Sequence, residues 1–227
     1  MIRPACHDAP AMTPEQRASF IRANTEILAP PLVPEVRLHL AHEALPIWQK
    51  TEEELGEIGL PPPFWAFAWA GGQALARHVL DHPELVDGRR VIDLASGSGL
   101  VGIAAMKADA LHVLAADIDA FSVAAMAINA ALNGVSLGVT GDDLLASAPP
   151  AVDVILVGDL FYEQGLAGRC FNWLTAARAG GTKVLIGDPG RSYLPKEKLV
   201  SLASYSVPVT RDLEDAEIKK TAVWTLA

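Results

Sequence analysis

The sequence has few cysteines, no excess of positive charge and no long hydrophobic run. Its 227 residues include two cysteines, Cys6 and Cys170, which give neither a disulfide framework nor a metal-ligand spacing, so we expect no metal site. Lysine and arginine number 18 against 27 aspartates and glutamates, and the net charge of −9 argues against a nucleic-acid partner. No stretch is long enough to span a membrane, and the first residues, MIRPACHDAPAM, lack the apolar run of a signal peptide. We therefore expect a cytoplasmic protein without a membrane partner.

The length and composition predict one large domain preceded by a short extension. Hydrophobic residues make up 51% and charged residues 20%, which is ordinary for a globular protein. We expect an N-terminal extension of helix and strand over residues 1–60, packed on a core domain of residues 61–227. In the extension, Thr13 as N-cap and Gln16 at the capping-box position predict a helix over about 13–28. The alternating run EVRLHLA after it predicts a short strand.

From residue 90 onward the chain alternates short apolar runs with helical segments. The apolar runs are RVIDLA, LHVLAAD, VSLGVTG, VDVILVGD and TKVLIGD. Strands that are apolar throughout and alternate with helices indicate a parallel sheet with helices on both faces. The last two runs, SYSVPVTRD and TAVWTLA, have no crossover helix between them and predict an antiparallel hairpin at the sheet edge. The predicted fold class is α/β, with a seven-stranded, mostly parallel, Rossmann-like sheet and a C-terminal antiparallel hairpin.

A glycine-rich segment follows the first of these strands. VIDLASGSGLVG contains Gly97, Gly99 and Gly102, which match G-x-G-x-x-G, and Asp117 follows Gly97 by 20 residues at the end of the next strand. This pattern satisfies the dinucleotide fingerprint, in which glycines allow close backbone approach and the acid binds ribose hydroxyls.

Three features argue against a nicotinamide cofactor. Asp93 precedes the loop, where a carboxylate suits a ligand with a cationic end, such as the amine and sulfonium of S-adenosylmethionine. The sheet finishes in a hairpin instead of the second βαβ half of a dinucleotide fold. No substrate domain fits into the remaining chain.

A further acid follows the third strand of the series. In TGDDLL, Asp142 or Asp143 could accept a hydrogen bond from the amino group of adenine, and the sequence leaves both open. Any one of these acids could simply cap a helix. Acids and a glycine loop at successive strand ends together resemble the class I methyltransferase fold.

Five segments carry a narrower resemblance: PPPFWAFAWAGGQALAR, VIDLASGSGLVGIAA, AADID, GDLFYE and IGDPGR. Together they resemble the seven-β-strand protein lysine methyltransferases, and more closely the enzymes that methylate the β subunit of electron transfer flavoprotein. The resemblance runs from about residue 45 to the C-terminus. It implies an S-adenosyl-L-methionine-dependent protein-lysine N-methyltransferase that releases S-adenosyl-L-homocysteine and has this β subunit as its protein substrate. The alternative is a small-molecule N- or O-methyltransferase on the same fold.

The resemblance also assigns roles to residues of this sequence. It gives Asp159 and Tyr162, the D-x-x-Y after the fourth strand, the catalytic role. It implies these cofactor-binding residues: Trp69, Gly71, Asp93, Gly97, Gly99, Asp117, Ile118, Asp142 and Asp143. Within that set the glycine loop and Asp93 take the methionine end and Asp117 takes the ribose.

The chemistry of lysine methylation suits an acid and aromatic side chains at a strand end. A free lysine has a pKa near 10.4, so little of it is neutral at pH 7. Asp159 can accept N–H hydrogen bonds and aim the amine. Aromatic walls from Phe161, Tyr162 and the segment 65–69 would desolvate the ammonium and lower its pKa.

Two simpler interpretations remain open at this stage. Asp159 could only cap the helix that follows its strand, and Glu163 could favour the dipole of that helix. Arg191 in DPGR could hold a carboxylate of the substrate protein or only brace its own loop.

Overall fold

We describe the fold from a computed structural model, for residues 12–41, 62–209 and 217–227. In chain order the elements are α1 (Pro14–Ala23), β1 (Glu26–Leu28), β2 (Leu38–Leu40), α2 (Ala70–Asp81), β3 (Arg90–Leu94), α3 (Leu100–Lys107), β4 (His112–Ala116), α4 (Ala120–Leu132), β5 (Gly138–Thr140), β6 (Val154–Gly158), α5 (Gln164–Ala179), β7 (Lys183–Asp188), β8 (Leu199–Pro208) and β9 (Ile218–Leu226). Part of the predicted extension, residues 1–11 and 42–60, lies outside the described residues. The division of the chain at residue 60 stays a prediction.

Helix α1 begins as predicted and ends earlier. The Thr13 hydroxyl accepts a hydrogen bond from the Gln16 backbone, and the Gln16 side chain accepts one from the Thr13 backbone, which completes the capping box. The prediction of a helix to residue 28 is wrong. The Asn24 side chain bonds the Phe20 carbonyl at 2.9 Å and the Thr25 hydroxyl bonds the Ile21 carbonyl at 2.6 Å, which satisfies the last turn. Strand β1 then pairs antiparallel with β2.

The central sheet has the predicted seven strands, in the order β5-β4-β3-β6-β7-β9-β8. The first five are parallel, and β9 pairs antiparallel with both β7 and β8. The predicted parallel sheet with a closing hairpin is therefore confirmed. From β3 the chain builds outward to β4 and β5, then returns to the other side of β3 with β6. Ligands of open α/β sheets bind at such a reversal, outside the carboxyl ends of the strands.

Helices cover both faces of this sheet, because alternate side chains of each strand are buried on opposite sides. In β3, Val91 packs in the core beneath α2 and α3, whereas Ile92 packs in the core beneath α5. In β6, Leu156 and Ile155 divide in the same way. The strands at the reversal are thus fixed from both faces, and their carboxyl ends form a rigid base for a site.

Two kinds of feature are missing from the part of the chain that the structure describes. None of its helices combines the length and the apolar character needed to cross a bilayer. The same residues contain no group of three or more His, Cys, Asp or Glu side chains that could hold a metal ion.

Candidate active site

The glycine loop joins β3 to α3 at the reversal of the sheet. Gly97 and Gly99 have φ values of 55° and 86°, in the left-handed region that favours glycine. Gly99 is the N-cap residue of α3. Gly102 lies inside α3, where a β-carbon would come within 3.0 Å of the Asp93 carboxylate and 3.2 Å of Val113. The first two glycines therefore set the turn, and the third allows the helix to approach the sheet.

Asp93 fixes this loop from below. Its side chain is buried, and its Oδ2 atom accepts hydrogen bonds from the Gly102 backbone at 2.8 Å and from the Ser96 hydroxyl. Burial raises the pKa of Asp93 to about 7, against the opposing effect of these two hydrogen bonds. The structure thus places Asp93 directly beneath the loop. Its contact with the cationic end of a cofactor stays a prediction.

Asp117 ties the next strand to the same loop. Its Oδ2 atom accepts a hydrogen bond from the Gly97 backbone at 2.9 Å, and its Oδ1 atom accepts one from the Asp119 backbone at 2.9 Å. Burial raises the pKa of Asp117 as well. The neighbouring Ile118 is 74% exposed. A carboxylate, an exposed apolar side chain and a loop of glycines therefore lie together, which fits the ribose and adenine of S-adenosylmethionine.

The two acids after β5 differ in the hydrogen bonds and ion pairs that their carboxylate oxygens already make. Asp143 accepts from the Leu145 backbone with one oxygen and pairs with Arg169 at 2.7 Å through the other. Asp142 accepts only from the Thr140 hydroxyl, through Oδ2 at 2.7 Å, and its Oδ1 has no hydrogen-bond partner among the described residues. Asp142 is therefore the acid with one oxygen that accepts no hydrogen bond from the described residues.

Asp159 lies immediately after β6, buried, with a left-handed φ of 55°. Its Oδ2 atom accepts a hydrogen bond from the Gly72 backbone at 2.8 Å, and its Oδ1 atom accepts two from Arg191, at 2.7 and 3.2 Å. Burial raises the pKa of Asp159 to about 6, although the Arg191 cation opposes the rise. Non-glycine residues with this backbone conformation are uncommon and cluster at functional sites.

The helix after Asp159 is capped by another residue. The Glu163 carboxylate accepts hydrogen bonds from the backbones of Gly165 at 2.7 Å and Leu166 at 2.9 Å. The interpretation of Asp159 as the cap of α5 is therefore wrong. Its carboxylate instead bonds the first turn of α2, whose N-cap residue Trp69 has no side-chain hydrogen bond that caps the helix.

Gly71 brings α2 close enough for this contact. A β-carbon on Gly71 would lie 2.2 Å from the Gly187 carbonyl and 2.5 Å from Asp159 Oδ2. A β-carbon on Gly187 would lie 2.1 Å from the Gly71 carbonyl. Two glycines thus allow the backbones of α2 and β7 to touch. The helix begins at Ala70 and includes the glycine pair in its first turn. Gly71, predicted at the cofactor, lies against Asp159 and Gly187.

Arg191 has a partner that sequence reasoning missed. The Asp188 carboxylate accepts hydrogen bonds from the backbones of Gly190 and Arg191, both at 2.7 Å, and so closes the DPGR turn. The guanidinium then reaches Asp159 and lies 5.6 Å from the Trp69 ring centre. A signal was available in the sequence, because DPGR follows β7 and GDLFY follows its neighbour β6. The carboxyl ends of parallel neighbours meet at one edge.

The aromatic wall of the site differs from the predicted one. Phe161 is fully buried in the core beneath α5, and Trp65 is buried against Phe121, so neither lines the site. The Phe64 ring instead lies 6.0 Å from the Trp69 ring and 5.9 Å from the Tyr162 ring.

Two of these three rings are also near charged groups of the site: Trp69 is near Arg191, and Tyr162 is near Asp117. The Trp69 indole N–H donates to the Phe64 carbonyl at 3.0 Å. Tyr162 is 49% exposed, and its hydroxyl makes no hydrogen bond with the described residues. Burial raises the pKa of Tyr162, and the charge of Asp117 adds to the rise. Tyr162 therefore lies close enough to Asp117 and Arg191 for both charges to act on its hydroxyl.

The sequence is similar over almost its whole length to known enzymes. It is 37% identical to the electron transfer flavoprotein beta subunit lysine methyltransferase of Xenopus laevis, across 98% of this chain and 92% of the relative. It is 38% identical to the enzyme of the same name from Danio rerio, across 91% of this chain and 81% of the relative. Residues 74–158 match the family of ribosomal protein L11 methyltransferase (PrmA).

Solved structures share the fold. The tRNA (uracil-54, C5)-methyltransferase of Pyrococcus abyssi, solved with S-adenosyl-L-homocysteine, gives a TM-score of 0.51 at 15% sequence identity. The match covers 66% of this chain and 38% of that chain. At this identity the similarity concerns the fold alone, and it confirms the predicted class I methyltransferase architecture.

Proposed function

The chain belongs to the family of electron transfer flavoprotein beta subunit lysine methyltransferases, and we propose that its substrate is the electron transfer flavoprotein beta subunit. It is an S-adenosylmethionine-dependent protein-lysine N-methyltransferase. The proposal on the substrate is supported by the relatives' shared name and by identity that extends over both chains. Within the structure, the observation that supports lysine methylation is the oriented carboxylate of Asp159 beside exposed aromatic rings.

The residues at the reversal of the sheet fit the cofactor. We propose that the glycine loop holds the methionine end, that Asp117 binds the ribose and that Asp142 binds the adenine beside Ile118. When bound, S-adenosylmethionine supplies a methyl group activated by a sulfonium sulfur. Asp93, buried beneath the loop, would present its carboxylate to the positively charged end of the cofactor.

The target lysine needs an orienting acceptor and a dry channel. Both oxygens of Asp159 are fixed: Oδ1 accepts two hydrogen bonds from Arg191, and Oδ2 accepts one from the Gly72 backbone and keeps a lone pair for an amine N–H. This arrangement aims the amine lone pair without freedom of the carboxylate to rotate. The Phe64, Trp69 and Tyr162 rings would exclude water from the amine and favour its neutral form.

A labelling experiment tests this function. The purified protein is incubated with S-adenosylmethionine carrying a labelled methyl group and with purified electron transfer flavoprotein beta subunit. We expect label on lysines of that subunit, found by peptide mass spectrometry, and none with the Asp159→Ala variant. A parallel incubation with a protein-free metabolite extract is the control. Label in metabolites and none in the subunit would favour the small-molecule methyltransferase instead.

A further inference from the structure

Arg191 holds the central carboxylate of the site in one orientation. Its guanidinium bonds Asp159 Oδ1 through two nitrogens, and the pair is largely shielded, with side chains 20% and 9% exposed. The backbone of Arg191 is fixed by Asp188, and its guanidinium packs over the Trp69 ring. An arginine in this setting has little freedom to leave the acid.

A carboxylate alone would be a poor partner for an amine that must become neutral. It attracts the ammonium form and opposes loss of the proton. An amine hydrogen-bonded to Asp159 Oδ2 would lie roughly 5–8 Å from the Arg191 guanidinium, because the two groups bond the two oxygens of one carboxylate, each through a bond of about 3 Å. A like charge at that distance disfavours the ammonium. The arginine thus offsets the effect of the acid.

We infer that Arg191 is a positioning residue for methyl transfer: it orients Asp159 and supplies the positive charge that makes the incoming lysine ammonium release its proton to solvent. The inference rests on the proposed lysine methylation. It explains why an orienting acid and a cation share one site. Asp159 provides the geometry, and Arg191 partly offsets the attraction of that carboxylate for the ammonium form.

Other charged groups lie around this pair. Asp188, at the end of β7, raises the pKa of Asp159. Lys196, in the segment after β7, lowers the pKa of Asp188. Tyr162 faces the pair from the segment after β6, with Glu163 and Asp117 acting on it from farther away. Of the groups whose contacts are described, Arg191 is the cation bonded directly to Asp159.

Two substitutions separate charge from hydrogen-bond geometry. Arg191→Lys keeps the positive charge, Arg191→Gln removes it, and both lose the bidentate contact. Arg191→Met is a second neutral variant of similar length. The matched control is Arg90→Gln, because Arg90 also pairs with an aspartate, Asp153, at the opposite end of the sheet. For each protein, kcat and KM for the beta subunit are measured from pH 6.5 to 9.5, with cofactor affinity and thermal midpoint on the same samples.

We expect the acid limb of the kcat profile to shift to higher pH by about 1–2 units in the neutral variants, with KM equal or lower. Arg191→Lys should keep the wild-type midpoint within about half a unit at reduced kcat, and Arg90→Gln should match wild type. Equal midpoints in the charged and neutral variants would overturn the inference and leave Arg191 a structural residue. Absence of methylation by the wild-type enzyme at every pH would overturn the proposed function, and the inference with it.

Discussion

The carboxylate of Asp159 accepts a hydrogen bond from the backbone N–H of Gly72 at 2.8 Å, across 87 positions of the chain. Gly72 lies in the first turn of α2, where backbone N–H groups have no partner within the helix. The acid assigned to the substrate lysine therefore also stabilises the start of the helix that follows Trp69. A change at Asp159 is therefore expected to affect both the activity and the local stability of the protein.

Replacement of Asp159 by alanine should remove activity and lower stability together. We expect turnover to fall by about 100-fold or more, because the amine loses its orienting acceptor. The thermal midpoint should fall as well, since Arg191 and the Gly72 N–H lose their partner. Cofactor affinity should stay near normal, because the side-chain hydrogen bonds described for Asp159 go to Gly72 and Arg191 and not to the glycine loop. Turnover, calorimetric affinity and thermal midpoint are measured on one sample.

Glu163→Ala is the control for this experiment. Glu163 caps α5 four residues after Asp159, and loss of a cap costs about 1 kcal/mol. We expect this variant to be less stable and fully active. An Asp159→Ala enzyme that behaved in the same way would show that its carboxylate serves only the folded structure.

The glycine pair at the start of α2 provides a second, matched test. A β-carbon on Gly71 would strike the Gly187 carbonyl and the Asp159 carboxylate, whereas one on Gly72 would be 4.0 Å from its nearest neighbours. Gly71→Ala should therefore destabilise the protein by about 1–3 kcal/mol or more and abolish methylation. Gly72→Ala should be neutral or stabilising by up to about 1 kcal/mol, because alanine favours a helix. Denaturant unfolding and turnover measure both. Equal effects of the two substitutions would contradict the described packing.

The sheet could be predicted from the sequence because its signals are local. Each parallel strand is a short apolar run, and acid or glycine residues mark its carboxyl end. Parallel strands place those ends at one edge of the sheet. The sequence alone therefore predicts that Asp93, Asp117 and Asp159 lie near one another. The roles of these residues, like the cytoplasmic location, stay predictions.

The finer arrangement could not be predicted, because it depends on contacts between distant segments. The sequence shows that Asp159 ends a strand, but its bond to Gly72 depends on the close approach of Gly71 to Gly187. Adjacent aromatic residues were also misleading. Phe161 turns into the core while Tyr162 faces outward, and their proximity in sequence says nothing about that division.

The two acids after β5 can be separated by substitution. Asp142→Asn should weaken S-adenosylmethionine binding by about 1–1.5 kcal/mol, because a neutral amide oxygen replaces the charged acceptor for the adenine amino group. Asp143→Asn should leave binding within about threefold of wild type and lower stability slightly, since Asp143 caps a turn and pairs with Arg169. Calorimetry at one pH compares the two. A larger loss of affinity in Asp143→Asn would reverse the assignment.

Asp93 gives a prediction for the dependence of stability on pH. Burial raises the pKa of Asp93 to about 7 in the folded protein, well above its usual value near 3.9. The folded state therefore binds this proton more tightly than the unfolded chain does. The resulting stabilisation is complete below about pH 4 and is lost as the pH rises through 7. Between pH 5 and 8 the loss from this one group is about 2–3 kcal/mol.

Asp93→Asn isolates this effect, because an asparagine oxygen can still accept from Gly102 and Ser96, which both bond Oδ2. Without cofactor, we expect the thermal midpoint of wild type to fall relative to the variant by roughly 5–10 °C between pH 5 and 8. Saturating S-adenosylmethionine should reduce that fall in wild type, since a cation at the carboxylate favours its ionised form. Parallel curves for the two proteins would mean that Asp93 does not titrate in this range. A cofactor that left the slope unchanged would place its positive charge away from Asp93.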